Sequence, residues 1–446
     1  MTSKQHRHCC IGGPKAYFTR VNRPIDDDAA ALLERLGLQR DPVGEAELAS
    51  SRDERPDPKL AGTPEDLAAR FDIILPLTEA SVRARIYRAD LDAPRPILVW
   101  LHGGGFYGGS PDDIDTVLSA VARRGGVTVV ALDYRLAPEH PFPAALTDSY
   151  DALRWLAEHG RALGGDGRLA VGGQSAGGNL AAASTLLAKE RGEPEIAAQI
   201  LCYPMLDFAF TGESHTLFDG VLFDRGSLEW CRDQYLAGHE PTQLAAPLLA
   251  DSLAGLPPAL VLTAGHDPLR DDGRRYAARL TSDGVSVRQI EYPGAIHAFL
   301  NFPGVLASAW RAVDDIASYL RAGLNRSAVA LQHVTTLYDR ARVAELREFY
   351  GALGLVEKSV PEMFAGSGIV WFDAGDHERE LHFVPHDHPE AAPHLCLNVD
   401  DLTAAAAKLG RLDVELTPDD GLKDRPRFFC ADPFGNSVEI VSMSSV

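Results

Sequence analysis

The chain has 446 residues, with 43 Lys+Arg against 63 Asp+Glu and a net charge of −20. That length predicts two domains or one large domain with an appendage, and 45% hydrophobic with 24% charged residues excludes wholesale disorder. Divided at residue 326, the chain has 33 basic and 43 acidic residues before that point and 10 and 20 after it, so neither part has the basic excess that a nucleic acid or anionic membrane partner requires.

Residues 1–60 are polar, with helical periodicity around Asp28–Leu38, and Met1–Cys10 lacks the apolar run of a signal peptide. Strand and helix patterns then alternate. Val82–Tyr87 alternates apolar and polar residues, Ile97–Leu101 and Val127–Leu132 are short apolar runs, and Ala145–Leu163 has helical spacing. A strand at Leu169–Gly172 leads to an Ala/Leu-rich helix at Gly177–Lys189. Strands at Ile200–Tyr203 and Ala259–Leu262, a helix at Arg270–Leu280, a strand at Val285–Tyr292 and a helix at Val305–Leu320 continue the pattern. This alternation predicts an α/β domain with a mainly parallel sheet covered on both faces. Asp207–Gly238 interrupts it with aromatic, helix-prone sequence and reads as an insertion packed over something.

Near Leu320–Ser327 the pattern stops. Beyond it come a strand at Ala328–Thr335, a helix at Ala341–Leu353 and strands near Ile369–Phe372 and Leu381–Val384. The order then repeats with Leu395–Val399, Leu402–Leu409, Phe428–Ala431 and Ser437–Val441, which predicts an α+β domain of two βαβββ units. No run of 18 apolar residues occurs, so no membrane span is expected. The six cysteines form no Cys-x-x-Cys pair, and a reduced, cytoplasmic protein is the expectation.

Gly173-Gln174-Ser175-Ala176-Gly177 matches G-x-S-x-G and lies between a predicted strand and a predicted helix. The flanking glycines permit the sharp turn that presents a serine hydroxyl at a helix N-terminus. His102-Gly103-Gly104-Gly105-Phe106 follows another strand, where backbone N–H groups can face a developing oxyanion. A serine nucleophile needs a base and an orienting carboxylate. Asp267 and His297 lie in that order after later strands. Asp271 and Asp272, read as capping or solvating the following helix, and His266 are the competitors.

These residues resemble the hormone-sensitive-lipase family of esterases. The resemblance rests on His102-Gly-Gly-Gly-Phe, Asp133-Tyr-Arg-Leu-Ala-Pro-Glu-His-Pro-Phe-Pro-Ala, Gly173-Gln-Ser-Ala-Gly-Gly-Asn, Asp267-Pro-Leu-Arg-Asp and the His297 turn, and covers Asp57 to Leu324. It implies an α/β-hydrolase fold with a helical cap formed by the N-terminal segment and the 207–238 insertion. It also implies an oxyanion hole of Gly104, Gly105 and Ala176, and catalysis by Ser175, His297 and Asp267 without a cofactor. Gln174, Gly265 and Ala298 depart from the family's usual Asp or Glu, Glu, and Gly.

The C-terminal part holds 6 of the 15 histidines, several of them in the loop Asp376–Pro393. His333 and His394 stand on the first strands of the two units, and Glu380 (or His382) and Glu439 on the last strands. Equivalent positions in paired units converge on one cavity, and imidazole with carboxylate suits Mn, Fe, Ni or Zn. This part resembles the vicinal-oxygen-chelate superfamily of glyoxalase, bleomycin-resistance and extradiol-dioxygenase proteins. The resemblance is carried by His333, Phe349-Tyr-Gly-Ala-Leu-Gly-Leu, His394-Leu-Cys-Leu-Asn-Val-Asp-Asp-Leu and Asp432-Pro-Phe-Gly-Asn-Ser-Val-Glu-Ile. That superfamily includes metal-free binding proteins, so a metal set and a plain binding cleft both stand.

The expected organisation is an N-terminal cap segment over residues 1–60, a catalytic domain over 61–325 and a glyoxalase-like domain over 328–446. The expected function is a serine carboxylesterase for short- to medium-chain esters, with a second small ligand in the C-terminal domain and oligomerisation left open. The alternatives are a metal-dependent lyase, isomerase or dioxygenase in the C-terminal domain, a drug-binding resistance protein, and a receptor without chemistry.

Overall fold

The computed structural model describes residues 24–36, 52, 56–91, 93–324, 329–352, 356–360, 366–373, 380–385, 387, 394–399, 402–410, 414–419, 427–431 and 437–441. The chain divides into two compact units, one ending at Leu324 and the other beginning at Asn325.

The first unit is built on β1 (Ala69–Pro76), β2 (Ser81–Arg88), β3 (Arg95–Leu101), β4 (Thr128–Leu132), β5 (Gly165–Gln174), β6 (Ala198–Cys202), β7 (Ala259–His266) and β8 (Val287–Ile296). They form one sheet in the order β1-β2-β4-β3-β5-β6-β7-β8. The pairs involving β2 are antiparallel, and all pairs from β4 to β8 are parallel. Every residue of β4, β6 and β7 is buried, which is why these segments read as continuous apolar runs. Along β3 the alternation of a strand sends Ile97, Val99 and Leu101 to one core and Leu98 and Trp100 to the other.

Helices cover both faces. They are α1 (Asp27–Leu36), α2 (Asp115–Gly125), α3 (Ala144–His159), α4 (Ala176–Arg191), α5 (Glu213–Leu217), α6 (Arg225–Leu236), α7 (Arg270–Ser282) and α8 (Ala307–Gly323). One core takes Leu153 of α3, Leu180 of α4 and Tyr276 of α7. The other takes Leu32 of α1, Val117 of α2 and Ile316 of α8. On α4 every residue from Ala176 to Ala188 is buried. Its small side chains let the helix lie deep between sheet and neighbours, so it shows no polar face. The apolar pattern does not predict β1, because this edge strand leaves Phe71 and Ile74 43% and 62% exposed.

The second unit contains β9 (Val329–Tyr338), α9 (Val343–Ala352), β10 (Val356–Lys358), β11 (Val370–Asp373) and β12 (Glu380–Pro385). The same order then recurs as β13 (His394–Val399), α10 (Leu402–Gly410), β14 (Thr417–Asp419), β15 (Arg427–Ala431) and β16 (Ser437–Val441). These strands make one sheet, β10-β11-β12-β9-β13-β16-β15-β14, in which two βαβββ units meet at the antiparallel β9–β13 pair. Each unit has its own core, Phe372 and Phe383 with Tyr350 of α9 in the first, and Phe428 and Ile440 with Leu409 of α10 in the second. The three-residue strands β10 and β14 are too short to give a periodic signal. Among the described residues, no helix is long and apolar enough to cross a membrane.

A Cβ on Gly265 would lie 2.1 Å from the Pro293 carbonyl oxygen, whereas one on Gly323 meets nothing within 4 Å. Gly265→Ala is therefore expected to lose about 2 kcal/mol or more, and Gly323→Ala to be neutral or gain up to about 1 kcal/mol in the helix. Thermal unfolding of the two variants checks the pair, and comparable melting temperatures would contradict it.

Candidate active site

Ser175 stands between β5 and α4 with φ 56 and ψ −117, a strained conformation for a residue with a side chain. The turn closes because its flanking glycines leave room. A Cβ on Gly173 would lie 2.4 Å from the Gly177 carbonyl, and one on Gly177 2.0 Å from the Leu101 carbonyl oxygen. The tightness of the turn thus brings β5 against the end of β3 and its His102-Gly103-Gly104-Gly105 loop. There the N–H groups of Tyr107 and Gly108 both donate to the Gly104 carbonyl. Gly104 and Gly105 have φ 119 and 60. His102 is buried, stacked on Tyr134 at 4.2 Å, and burial pushes its imidazole pKa down.

His297 Nε2 lies 2.9 Å from Ser175 Oγ, and its Nδ1 lies 2.8 Å from Asp267 Oδ2. The second carboxylate oxygen of Asp267 accepts the Leu269 N–H at 2.7 Å. All three side chains are buried, Asp267 fully. The rings of Tyr203 and Phe223 each meet the imidazole edge-on at 4.9 Å. The structure thus brings together Ser175, Asp267 and His297, with Ala176 immediately after the serine.

A cavity of about 240 Å³ opens at this point, lined by Gly103, Gly104, Gly105, Ser175 and His297 from the sheet loops. Leu222, Phe223, Ser227, Leu228 and Cys231 from the 207–238 insertion line it as well. Sequence reasoning pointed to the insertion only as a block. The i, i+4 spacing of Ser227 and Cys231 on α6 is the signal that marks its inward face. Among the described residues, none from 1–60 lines the cavity. Ala29 and Leu32 of α1 are buried in the core, while Arg52 donates to the carbonyls of Tyr107 and Ala137.

The competing residues do other work. His266 meets the ring of Phe218 edge-on at 5.4 Å. Asp272, read as a capping or solvated carboxylate, is instead fully buried and accepts the N–H groups of Leu206 and Asp207 at 3.0 and 3.1 Å. Its burial pushes the carboxyl pKa up, against the hydrogen bond from His215. The departures also have physical reasons. Gln174 Oε1 accepts the Trp100 indole N–H at 2.6 Å. Gly265 admits the Pro293 carbonyl. Ala298 has φ 58, which is why glycine suits that position better.

In the second unit, β9 pairs His333 with Glu380 and Cys396, and Cys396 pairs with Glu439. The side chains of His333 and Glu380 lie outside the described residues, as do His377, His386 and His388. His394 Nε2 lies 3.1 Å from Glu439 Oε2 and 3.3 Å from Thr335 Oγ1. His382 stacks on Trp371 at 4.0 Å. Sequence reasoning missed Arg427, whose guanidinium holds Glu439 Oε1 at 2.8 Å with both side chains largely buried. Among the described residues no three ligand side chains cluster.

Residues 98–301 match the family model of the alpha/beta hydrolase fold, and residues 331–440 that of the Glyoxalase/Bleomycin resistance protein/Dioxygenase superfamily. Carboxylic ester hydrolase LipN of Mycobacterium tuberculosis is 40% identical over 266 residues, 57% of this chain and 70% of the relative. Ethyl acetate hydrolase of Pseudomonas putida is 36% identical over 59% of this chain and 86% of its own. The solved esterase of Pyrobaculum calidifontis superposes with a TM-score of 0.60 at 38% identity, covering 66% of this chain and 97% of its own. The chain belongs to the alpha/beta hydrolase family of these esterases, with a glyoxalase/bleomycin-resistance/dioxygenase domain following the hydrolase.

Proposed function

We propose that the first unit is a serine carboxylesterase acting on short- to medium-chain esters. The observation that carries this reading is the unbroken Asp267–His297–Ser175 relay at the floor of a small apolar cavity. Ser175 attacks the ester carbonyl as His297 Nε2 takes its proton, while Asp267 holds the Nδ1–H tautomer. The oxyanion develops against the amides of Gly104, Gly105 and Ala176, each donor contributing roughly 2.7–4 kcal/mol. The alcohol leaves with the proton from His297. Water, activated by the same imidazole, then releases the acid. The esterase names of the relatives support the substrate class, and a cavity of about 240 Å³ supports a short acyl group.

We further propose that the insertion over residues 207–238 acts as the cap of this cavity, and that the C-terminal domain binds a small organic ligand. The ion pair of Arg427 with Glu439 supports a cleft that needs no metal at that carboxylate.

Ser175→Ala is expected to lower kcat at least a thousandfold, and Asp267→Asn on the order of 10⁴-fold, with folding intact. Ester hydrolysis surviving Ser175→Ala would sink the reading. In a p-nitrophenyl ester series, kcat/KM should peak at short or medium acyl chains and fall for long ones, and a rise with length would contradict the cavity argument. Chelation should leave ester hydrolysis unchanged, and elemental analysis of the full chain should find less than one equivalent of Mn, Fe, Ni or Zn. A stoichiometric ion would overturn the Arg427 argument.

A further inference from the structure

The loop that presents Asp267 is also where the insertion is fastened. Helix α7 begins at Arg270, and the residue before it, Leu269, offers no side-chain cap to the first N–H groups of the helix. Ser214, on the insertion's helix α5, provides that cap from 57 residues away: the Asp271 N–H donates to Ser214 Oγ at 3.2 Å. Asp271 Oδ2 returns the bond by accepting the Ser214 N–H at 2.9 Å. This reciprocal arrangement has the logic of a capping box, assembled between two distant segments. The Ser214 hydroxyl then donates to the Pro268 carbonyl at 2.7 Å, one peptide unit from the carboxylate that holds His297. The neighbouring His215 Nε2 adds a buried contact to Asp272 Oδ1 at 3.2 Å. Ser214 and Asp272 are fully buried, so no water can replace these bonds.

We propose that Ser214 is a positioning residue of the ester-hydrolysing site: by clamping the 267–272 loop it aims the Asp267 carboxylate at His297 Nδ1. The proposal rests on the serine-triad reading above. Pro268 has no N–H with which to brace the loop itself. Within the loop, Leu269 N–H to Asp267 Oδ1 at 2.7 Å and Arg270 N–H to the Asp267 carbonyl at 3.0 Å fix the local turn. Neither ties that turn to the rest of the fold; Ser214 does so at Pro268, and Asp272 does so within the first turn of the helix. Because Ser214 belongs to the insertion that lines the cavity, the same hydroxyl links the part that holds substrate to the part that orients the base.

The test uses the full chain. Ser214→Ala should lower kcat by about ten- to a hundredfold through a misdirected carboxylate, with KM within about twofold of wild type. In proton NMR, the downfield Nδ1–H signal of the His297–Asp267 pair should broaden in Ser214→Ala. A rise in KM at constant kcat would overturn the proposal, since the clamp would then serve only the cavity wall. Wild-type kinetics or an unchanged Nδ1–H signal in Ser214→Ala would overturn it too. If Ser214→Ala fails to fold, Ser214→Cys, with similar volume and a weaker hydrogen bond, carries the same comparison. Loss of the triad reading would appear separately, as ester hydrolysis that Ser175→Ala does not abolish.

Discussion

A side chain on Gly177 would strike the Leu101 carbonyl oxygen at 2.0 Å, and one on Gly109 the Gly103 carbonyl oxygen at 2.2 Å. At the first place α4 meets the end of β3 backbone to backbone, at the second the glycine loop after β3 closes on itself, and the geometry around Ser175 follows from both. It sets Ser175 directly beside the glycine loop. It also keeps Ser175 in a conformation that costs about 1–3 kcal/mol, a strain held by the buried carboxyl ends of β3, β5 and β6 around it. The parallel strands deliver the other groups from their carboxyl ends, as the topology of such sheets requires.

This kind of constraint is legible in a sequence. Glycine is the residue that fits such contacts, so Gly173, Gly177 and the 103–105 run announce their geometry without any knowledge of partners. The same holds for β4, β6 and β7, whose burial on both faces appears as apolar runs. Apart from Ser175, Asp267 and His297, contacts between polar residues far apart in sequence were not legible. Nothing local to Ser214 points to Pro268, and Asp272 reads as a surface carboxylate until the N–H groups of Leu206 and Asp207 are seen to surround it. Edge strands were lost for a different reason: β1 is half exposed and β10 and β14 are three residues long, so periodicity has nothing to act on.

The C-terminal unit illustrates the same limit on the chemistry. The residue types His394 and Glu439 are right for a metal, and the structure does bring them within 3.1 Å. Arg427, twelve residues before Glu439 and on the neighbouring strand of the β15–β16 pair, where Glu439 itself faces Phe429, holds the other carboxylate oxygen. That ion pair is a contact that no count of histidines and carboxylates anticipates.

The cavity walls come from two sources: the reacting groups stand on loops of the sheet, whereas Leu222, Phe223, Leu228 and Cys231 belong to one insertion. The two sets of walls are therefore encoded in separable stretches of the gene. Substitutions within 218–238 can drift towards new esters while the sheet, and the turnover it supports, stays under its own selection. Phe223, which packs on the His297 ring, is tied to the site, and so are residues 213–217, because they are fastened to the loop of Asp267. That short stretch is expected to evolve at the pace of the sheet loops it is fastened to.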